Sequence, residues 1–290
     1  ANPMPDISTD IDGEPRDASY PDIGADEFTY VATELSGTYT IGGTNPDFES
    51  FAAAKYDLDL LGISGPVIFN VREGTYTEQI SLQAISGSYS WKTITIQPEA
   101  SANVVVTYPA NSSNNYIFEF DGIEYLNIYG ITFTKTGSNY GTVFNFKNES
   151  NYITIDGNTL NGTSTNSSSY NYAIIHSASS TNNEYITITD NTINAGSYGI
   201  YFEGNSFSDV ESGNVISNNT IVDFGYQGIY LKYQDAIDVS SNTVTARSNL
   251  GINTNYGIYA AYCKWDCVFA KNRITVYGLN ENYGLYLDNV

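Results

Sequence analysis

The chain has 290 residues, 41% hydrophobic and 15% charged, and its 11 Lys and Arg against 32 Asp and Glu give a formal charge of −21. That balance excludes nucleic acid as a partner and, unless calcium bridges the charges, acidic polysaccharides as well. The apolar content excludes a disordered acidic tail, and no apolar run approaches the roughly 18 residues of a membrane-spanning helix.

Residues 1–29 are expected to be a segment of their own, a linker or the tail of a preceding module. Within it Asp10 and Asp12, in Asp10-Ile11-Asp12-Gly13, begin a pattern found in calcium loops, but the third acidic ligand and the distal Glu are missing. A turn in which Arg16 pairs with Asp10 or Asp22 explains the same residues. Calcium is the one ion this segment suggests, and no other cofactor is expected. Residues 30–80 hold an N-terminal strand, a capping helix and a first coil. Asp47 is the expected helix N-cap, Phe48, Phe51 and Leu58 form its apolar face, and Gly62 ends it. The strand Gly65-Pro66-Val67-Ile68-Phe69-Asn70-Val71 and the tight turn Gly74-Thr75-Tyr76-Thr77-Glu78 follow.

Residues 81–290 repeat themselves. Gly199-Ile200-Tyr201 returns as Gly228-Ile229-Tyr230, Gly257-Ile258-Tyr259 and Gly284-Leu285-Tyr286, with spacings of 29, 29 and 27 residues (228 − 199, 257 − 228, 284 − 257). Looser marks at Ala173-Ile174-Ile175, Gly141-Thr142-Val143 and Asn115-Tyr116-Ile117 extend the register backward, seven marks in all. A second phrase places Asn158, Asn191, Asn219, Asn242 and Asn272 after a short strand and turn, each followed by Thr or Arg and an aliphatic residue. Each unit therefore carries three short strands rich in Ile, Val, Thr and Tyr, separated by Asn, Gly and Ser.

Leucine-rich repeats of similar length need a Leu-x-x-Leu-x-Leu frame that is missing, and helical solenoids need a 3.6-residue periodicity that is equally missing. The prediction is an all-β, right-handed parallel β-helix with three strands per coil, coils of about 23–33 residues, and a short N-terminal capping helix. Seven coils rise about 34 Å at the inter-strand spacing. The recurring asparagines are expected to take the left-handed conformation at the bends and to stack their amides from coil to coil.

The helix, the buried strand and the Gly74-x-Tyr76-x-Glu78 turn resemble the N-terminal cap of pectin-lyase-like right-handed β-helix proteins, and the later coils resemble their parallel β-helix repeats. Leu35-Ser36-Gly37-Thr38-Tyr39-Thr40-Ile41-Gly42-Gly43 through Glu78-Gln79-Ile80 resembles the opening of β-helix modules in large secreted, multi-module bacterial surface proteins. Residues 9–28 are similar to the closing tail of such a module. The resemblance covers about residues 30–290 and implies a secreted or surface setting and a chain truncated at its C-terminal end. It implies no single activity, because that superfamily mixes lyases, hydrolases, esterases and non-enzymes.

Alternation along the strands places Ile200, Ile229, Ile258 and Leu285 on one side and Tyr201, Tyr230, Tyr259 and Tyr286 on the other, an outward ladder suited to binding a ligand or to stacking on itself. Cys263 and Cys267 are a disulfide candidate, or else small buried hydrophobes. The single histidine, His176, has no partner in sequence. A lyase site built on Arg247 and Arg273 with Asp235, Asp238 and Asp266 is conceivable, as are hydrolase pairs of Glu203 with Asp235, or of Asp209 and Glu211 with Asp238. The segments that mark polygalacturonases and pectin esterases are missing, so no catalytic residue is assigned. The leading expectation is a non-enzymatic structural or adhesive module of a bacterial surface protein, displaying a carbohydrate-binding or assembly face beside neighbouring modules of the same chain. A polysaccharide lyase or hydrolase is the alternative, and an extracellular filament subunit is a third.

Overall fold

The computed structural model describes residue 9 and residues 33–177, 182–248, 254–279 and 281–290. The chain divides into two units, Ala1–Glu34 and Leu35–Val290, and the solenoid is the second. Asp10 and Asp12 lie outside the described residues.

Three parallel sheets run the length of the solenoid. The first has nine strands, from Leu35–Ile41 to Val268–Ala270; the second has eight, from Gly74–Thr77 to Arg273–Thr275; the third has eight, from Ile80–Gln83 to Glu281–Asp288. The chain is thus a right-handed parallel β-helix with three strands per coil. Equivalent residues of successive coils sit in register: Ile96, Ile128, Ile155, Ile188, Ile216 and Val239 form one inward column of the first sheet, each at most 4% exposed. Stacking begins at Leu35, well before the first repeat mark near residue 115, because strands such as Ile63–Val71 and Ile94–Pro98 keep the inward alternation without the repeated phrase.

The glycine of that phrase has a packing cause. A Cβ on Gly199 would lie 2.4 Å from Ile221 Cγ2 and 2.7 Å from the Gly228 carbonyl oxygen, and Gly228 and Gly257 meet Val244 and Ile274 in the same way. At these points the third sheet approaches the second too closely for any side chain.

The capping helix α1 spans Phe51–Leu61, and its N-cap is Ser50, not Asp47. Asp47 is engaged elsewhere, accepting from the Thr40 amide and hydroxyl at 2.7 Å each. Phe48 consequently precedes the helix, whose buried face is Phe51, Ala54 and Leu58. Glu78, in the turn that carries the family resemblance, accepts from the Phe51 and Ala52 amides at 3.2 and 2.9 Å. Its carboxylate satisfies two of the free N–H groups at the helix start, where negative charge is favoured.

The asparagines do stack, but they are not the left-handed residues. Positive φ falls one position earlier, at Gly157, Asp190, Asn218, Ser241 and Lys271. Each Asn side chain instead turns inward and works in two directions. Asn191 Oδ1 accepts from the amide and side chain of Asn158 at 2.9 and 3.2 Å, while Asn191 Nδ2 donates to the Ile155 carbonyl at 2.8 Å and to Asn219 Oδ1 at 3.0 Å. The same pattern continues through Asn242 to Asn272. Asn191→Ala strips partners from several buried groups at once and should cost about 2–4 kcal/mol. Thr220→Ala, on an exposed position of the adjoining strand, should stay within about 0.5 kcal/mol in the same denaturant titration.

A second polar stack lies behind the two-stranded sheet of Glu211–Ser212 and Gln234–Asp235. Glu211 is fully buried and accepts from Ser177 Oγ at 2.9 Å, the Asn183 amide at 3.2 Å and Gln234 Nε2 at 2.8 Å. Burial pushes its pKa up to about 7, against the opposing pull of these hydrogen bonds. Because the folded value lies above the unfolded one, protonated Glu211 favours the fold. That contribution is complete below about pH 4.5 and is lost as pH rises through about 7. The gap between the two values corresponds to about 3 kcal/mol. Glu211→Gln should remove this fall from a pH series of unfolding free energies, and an unchanged slope would place the titrating group elsewhere.

Candidate functional site

The third sheet carries one outward column whose chemistry changes along its length: Ser81, Glu119, Asn145, His176, Tyr201, Tyr230, Tyr259 and Tyr286 occupy equivalent positions on successive coils. In the second half like stacks on like. Ring centroids are 4.5 Å apart for Tyr201–Tyr230, 5.4 Å for Tyr230–Tyr259 and 5.3 Å for Tyr259–Tyr286, with planes 10–17° from parallel. The four rings are partly buried, their faces spent on one another. Tyr198, Tyr256 and Tyr283 add edge-on contacts at 5.2–5.4 Å. Tyr201 donates to Glu203, which also accepts from Lys232 Nζ at 2.8 Å. Burial and the Glu203 charge push the Tyr230 phenol up to about 12, so it stays neutral.

In the first half the column is a directed hydrogen-bond chain. Ser81 Oγ donates to Glu119 Oε1 at 3.0 Å, Asn145 Nδ2 donates to Glu119 Oε2 at 3.0 Å, and Asn145 Oδ1 lies 2.8 Å from His176 Nδ1. Lys147 Nζ bridges Glu119 and Asp121 at 3.1 and 3.4 Å. Burial works against that ammonium, but its Glu119 hydrogen bond and both carboxylate charges leave its pKa raised. His176 is held well below its ordinary value, at about 4, by burial, with the Glu203 charge opposing. At neutral pH it is therefore uncharged.

Of these side chains Glu119, Asn145, Lys147 and His176 floor an open cleft of about 280 Å³. Its walls are the loop at Ser112–Tyr116 and the short 3-10 turn Tyr170–Tyr172. Tyr170 lies on His176, ring to ring at 5.4 Å and 13°, and is 51% exposed. The cleft offers a floor of fixed acceptors and donors beside an aromatic face, a combination suited to a small polar ligand.

The other sequence candidates do not converge here. Glu203 lies on the third sheet, Asp238 on the first and Asp235 on the separate two-stranded sheet, while Glu211 is sealed inside. Arg247 is tied to Asp223, Nε to Oδ1 at 2.9 Å, and Arg273 sits in an exposed position of the second sheet. A further aromatic stack, Tyr125, Tyr152 and Tyr185, has centroids 4.7 and 4.8 Å apart and planes 2° from parallel. Its signal was present as Tyr before Leu126, Ile153 and Ile186, at spacings of 27 and 33 residues (152 − 125, 185 − 152).

Residues 110–290, more than half of the chain, match the family described as periplasmic copper-binding protein (NosD). The chain belongs to the NosD family. This places it with proteins of the bacterial envelope, and among the described residues no helix is long and apolar enough to cross a membrane. A comparison with curated proteins gave no match. Among solved structures the chain is similar to the GH136 lacto-N-biosidase from Eubacterium ramulus, crystallised as its selenomethionine derivative. The identity is 10% and the TM-score 0.50, over 86% of this chain and 55% of that one. At that identity the likeness is one of fold, and the chain spans little more than half the neighbour's length.

The NosD name implies copper, which imidazole and sulfur donors suit. The donor set here does not fit it. His176 is the only histidine and Met4, the only methionine, lies outside the described residues. Cys263 and Cys267 sit three coils beyond His176, about 14 Å along the axis. Among the described residues no three His, Cys, Asp or Glu side chains are grouped to hold a metal ion.

Cys263 and Cys267, the disulfide candidate, are free thiols in the structure. Cys263 is buried, and Cys267, partly exposed, donates to the Lys264 carbonyl at 2.8 Å. Contact with the Cys263 thiol holds Cys267 below its ordinary value despite burial, while the same contact and burial raise Cys263. Iodoacetamide should therefore modify Cys267 with a midpoint below that of an ordinary thiol and leave Cys263 untouched. Cys263→Ala should move that midpoint upward by mass-spectrometric thiol mapping, and an unmoved midpoint would rule out the contact as its cause.

Proposed function

We propose that this chain is a non-catalytic, glycan-binding β-helix module of the bacterial envelope, holding a neutral saccharide in the third-sheet cleft. The observation that carries this reading is the cleft itself: Glu119, Asn145, Lys147 and His176 held in fixed orientations beneath the exposed ring of Tyr170. Sugars present hydroxyls that both donate and accept, with apolar faces that stack on aromatic rings. From the cleft the saccharide continues along the ladder of Tyr201, Tyr230, Tyr259 and Tyr286, contacting ring edges and hydroxyls, since the ring faces are occupied by one another.

Neutral sugars are favoured over uronates because the formal charge is −21 and Glu119 and Asp121 stand on the cleft's own strand. The absence of catalysis is supported by the state of the carboxylates, which are bound to Lys147, Asn145 and Ser81 rather than poised as an acid and base pair. The GH136 neighbour's name shows a glycan-acting protein on a similar scaffold, and at 10% identity it lends nothing further.

On an array of neutral and acidic polysaccharides the protein should retain neutral glycans and release no product. Tyr170→Ala should weaken retention about threefold to tenfold, the loss of one aromatic contact. Tyr230→Phe, which keeps the stack and deletes a hydroxyl, should weaken it less. Product release would overturn the non-catalytic assignment, and silence across the array would overturn glycan binding.

A further inference from the structure

His176 carries an unused acceptor. A carboxylate only accepts, so the Asn145 amide must turn its NH2 to Glu119 and its oxygen to His176. The proton of the neutral imidazole is therefore fixed on Nδ1, and Nε2 keeps its lone pair. Nε2 is buried and has no hydrogen-bond partner. A buried acceptor left unmatched costs free energy that a donor arriving from the cleft would recover.

His176 and Tyr170 both line the cleft. Tyr170 stacks on the imidazole and also touches the Tyr201 ring at 5.8 Å, and it belongs to a three-residue 3-10 turn and is half exposed. The other groups around the ring are fixed: Tyr201 against it at 5.5 Å, Asn145 at Nδ1, and Lys147 held by Glu119 and Asp121.

Resting on the glycan-binding reading of this cleft, we propose that His176 Nε2 is the acceptor for one sugar hydroxyl, reached when Tyr170 swings aside and restacks on the sugar ring. The Ser81–Glu119–Asn145 chain is then a positioning device: it selects the tautomer that accepts, so the site discriminates for a hydroxyl donor and against an ether or a carboxylate at that position. Three residues from preceding coils thus set the specificity of one nitrogen.

Because the chain has one histidine, the imidazole of 15N-histidine-labelled protein gives a single pair of nitrogen signals, a readout that a merely structural residue would not move. The full chain would be titrated with hexamers of glucose, galactose and N-acetylglucosamine, and with the galacturonate hexamer. In the free protein Nδ1 should carry the proton and Nε2 should be bare. Saturation with a neutral hexamer should shift the Nε2 signal upfield, as hydrogen-bond acceptance requires, and leave the proton on Nδ1. His176→Asn, which repeats the residue at the same register of the preceding coil, should fold and weaken binding about threefold to tenfold. A proton found on Nε2 in the free protein overturns the proposal. So does a neutral hexamer that binds with Nε2 unmoved and with His176→Asn unaffected, an outcome that leaves glycan binding itself standing. If none of the hexamers binds, the glycan reading falls and this proposal with it. Selective broadening of the imidazole signals by Cu(II), with no response to the saccharides, would make His176 a metal ligand instead and overturn it.

Discussion

Every coil of this solenoid must turn corners, and each corner leaves backbone amides and carbonyls facing inward, away from water. The asparagine spine is the answer on which the rest of the structure depends. Asn191 accepts from the coil before it and donates both to that coil's backbone and to Asn219 on the coil after it, so one side chain saturates the corners of three coils. A left-handed residue just ahead of each Asn makes the bend, which frees the Asn to hydrogen-bond instead of to bend. The two tasks are divided between neighbouring residues because one side chain cannot point inward while its own backbone provides the reversal.

A spine of this kind fixes register, and fixed register turns every position of a coil into a column. Where the residues of a column are alike, they satisfy one another: isoleucines fill the core, asparagines bond in series, and tyrosines stack face to face. Such columns spend their contacts on themselves, and of them the stacked tyrosines alone keep ring edges and hydroxyls turned outward. Where the residues differ, the contacts become directional. The column from Ser81 to His176 is polarised because its members are a hydroxyl, a carboxylate, an amide and an imidazole, and the carboxylate dictates the orientation of all that follow. It ends on an unmatched nitrogen because the next member, Tyr201, meets the imidazole with its ring.

This division also explains what the sequence made legible. The Gly-Ile-Tyr phrase, the Asn phrase and the inward alternation repeat because they serve the columns that are alike, and they were sufficient to read the fold. The helix cap was misplaced by three residues because Asp47, a good N-cap by type, is captured by Thr40 across seven residues, a tertiary contact with no local mark. His176 looked isolated for a similar reason: Asn145 stands 31 residues before it (176 − 145), and Glu119 26 before that (145 − 119). Nothing in the local sequence pairs them until the register is known. The cleft wall at residues 170–172 interrupts the repeat and carries no periodic signal, while the wall at 112–116 runs into the repeat mark Asn115-Tyr116-Ile117, which encodes stacking and not a cleft.

Family membership and function accordingly rest on different residues. A family drawn from repeats of this kind is recognised by its glycines, its spine and its core, the residues that any solenoid of the same period must have. Those residues are buried and chemically spent. The outward columns are where members of one family are free to diverge, and a donor set for copper would have to be written there. In this chain the outward column nearest to such a role supplies one imidazole nitrogen, backed by an amide and a carboxylate and flanked by tyrosines. Orienting a histidine through a second residue suits a metal ligand and a hydrogen-bond acceptor equally. It is the neighbours that decide between them, and tyrosine rings, a clamped lysine and surface hydroxyls form the surroundings of a sugar more than those of a soft metal ion.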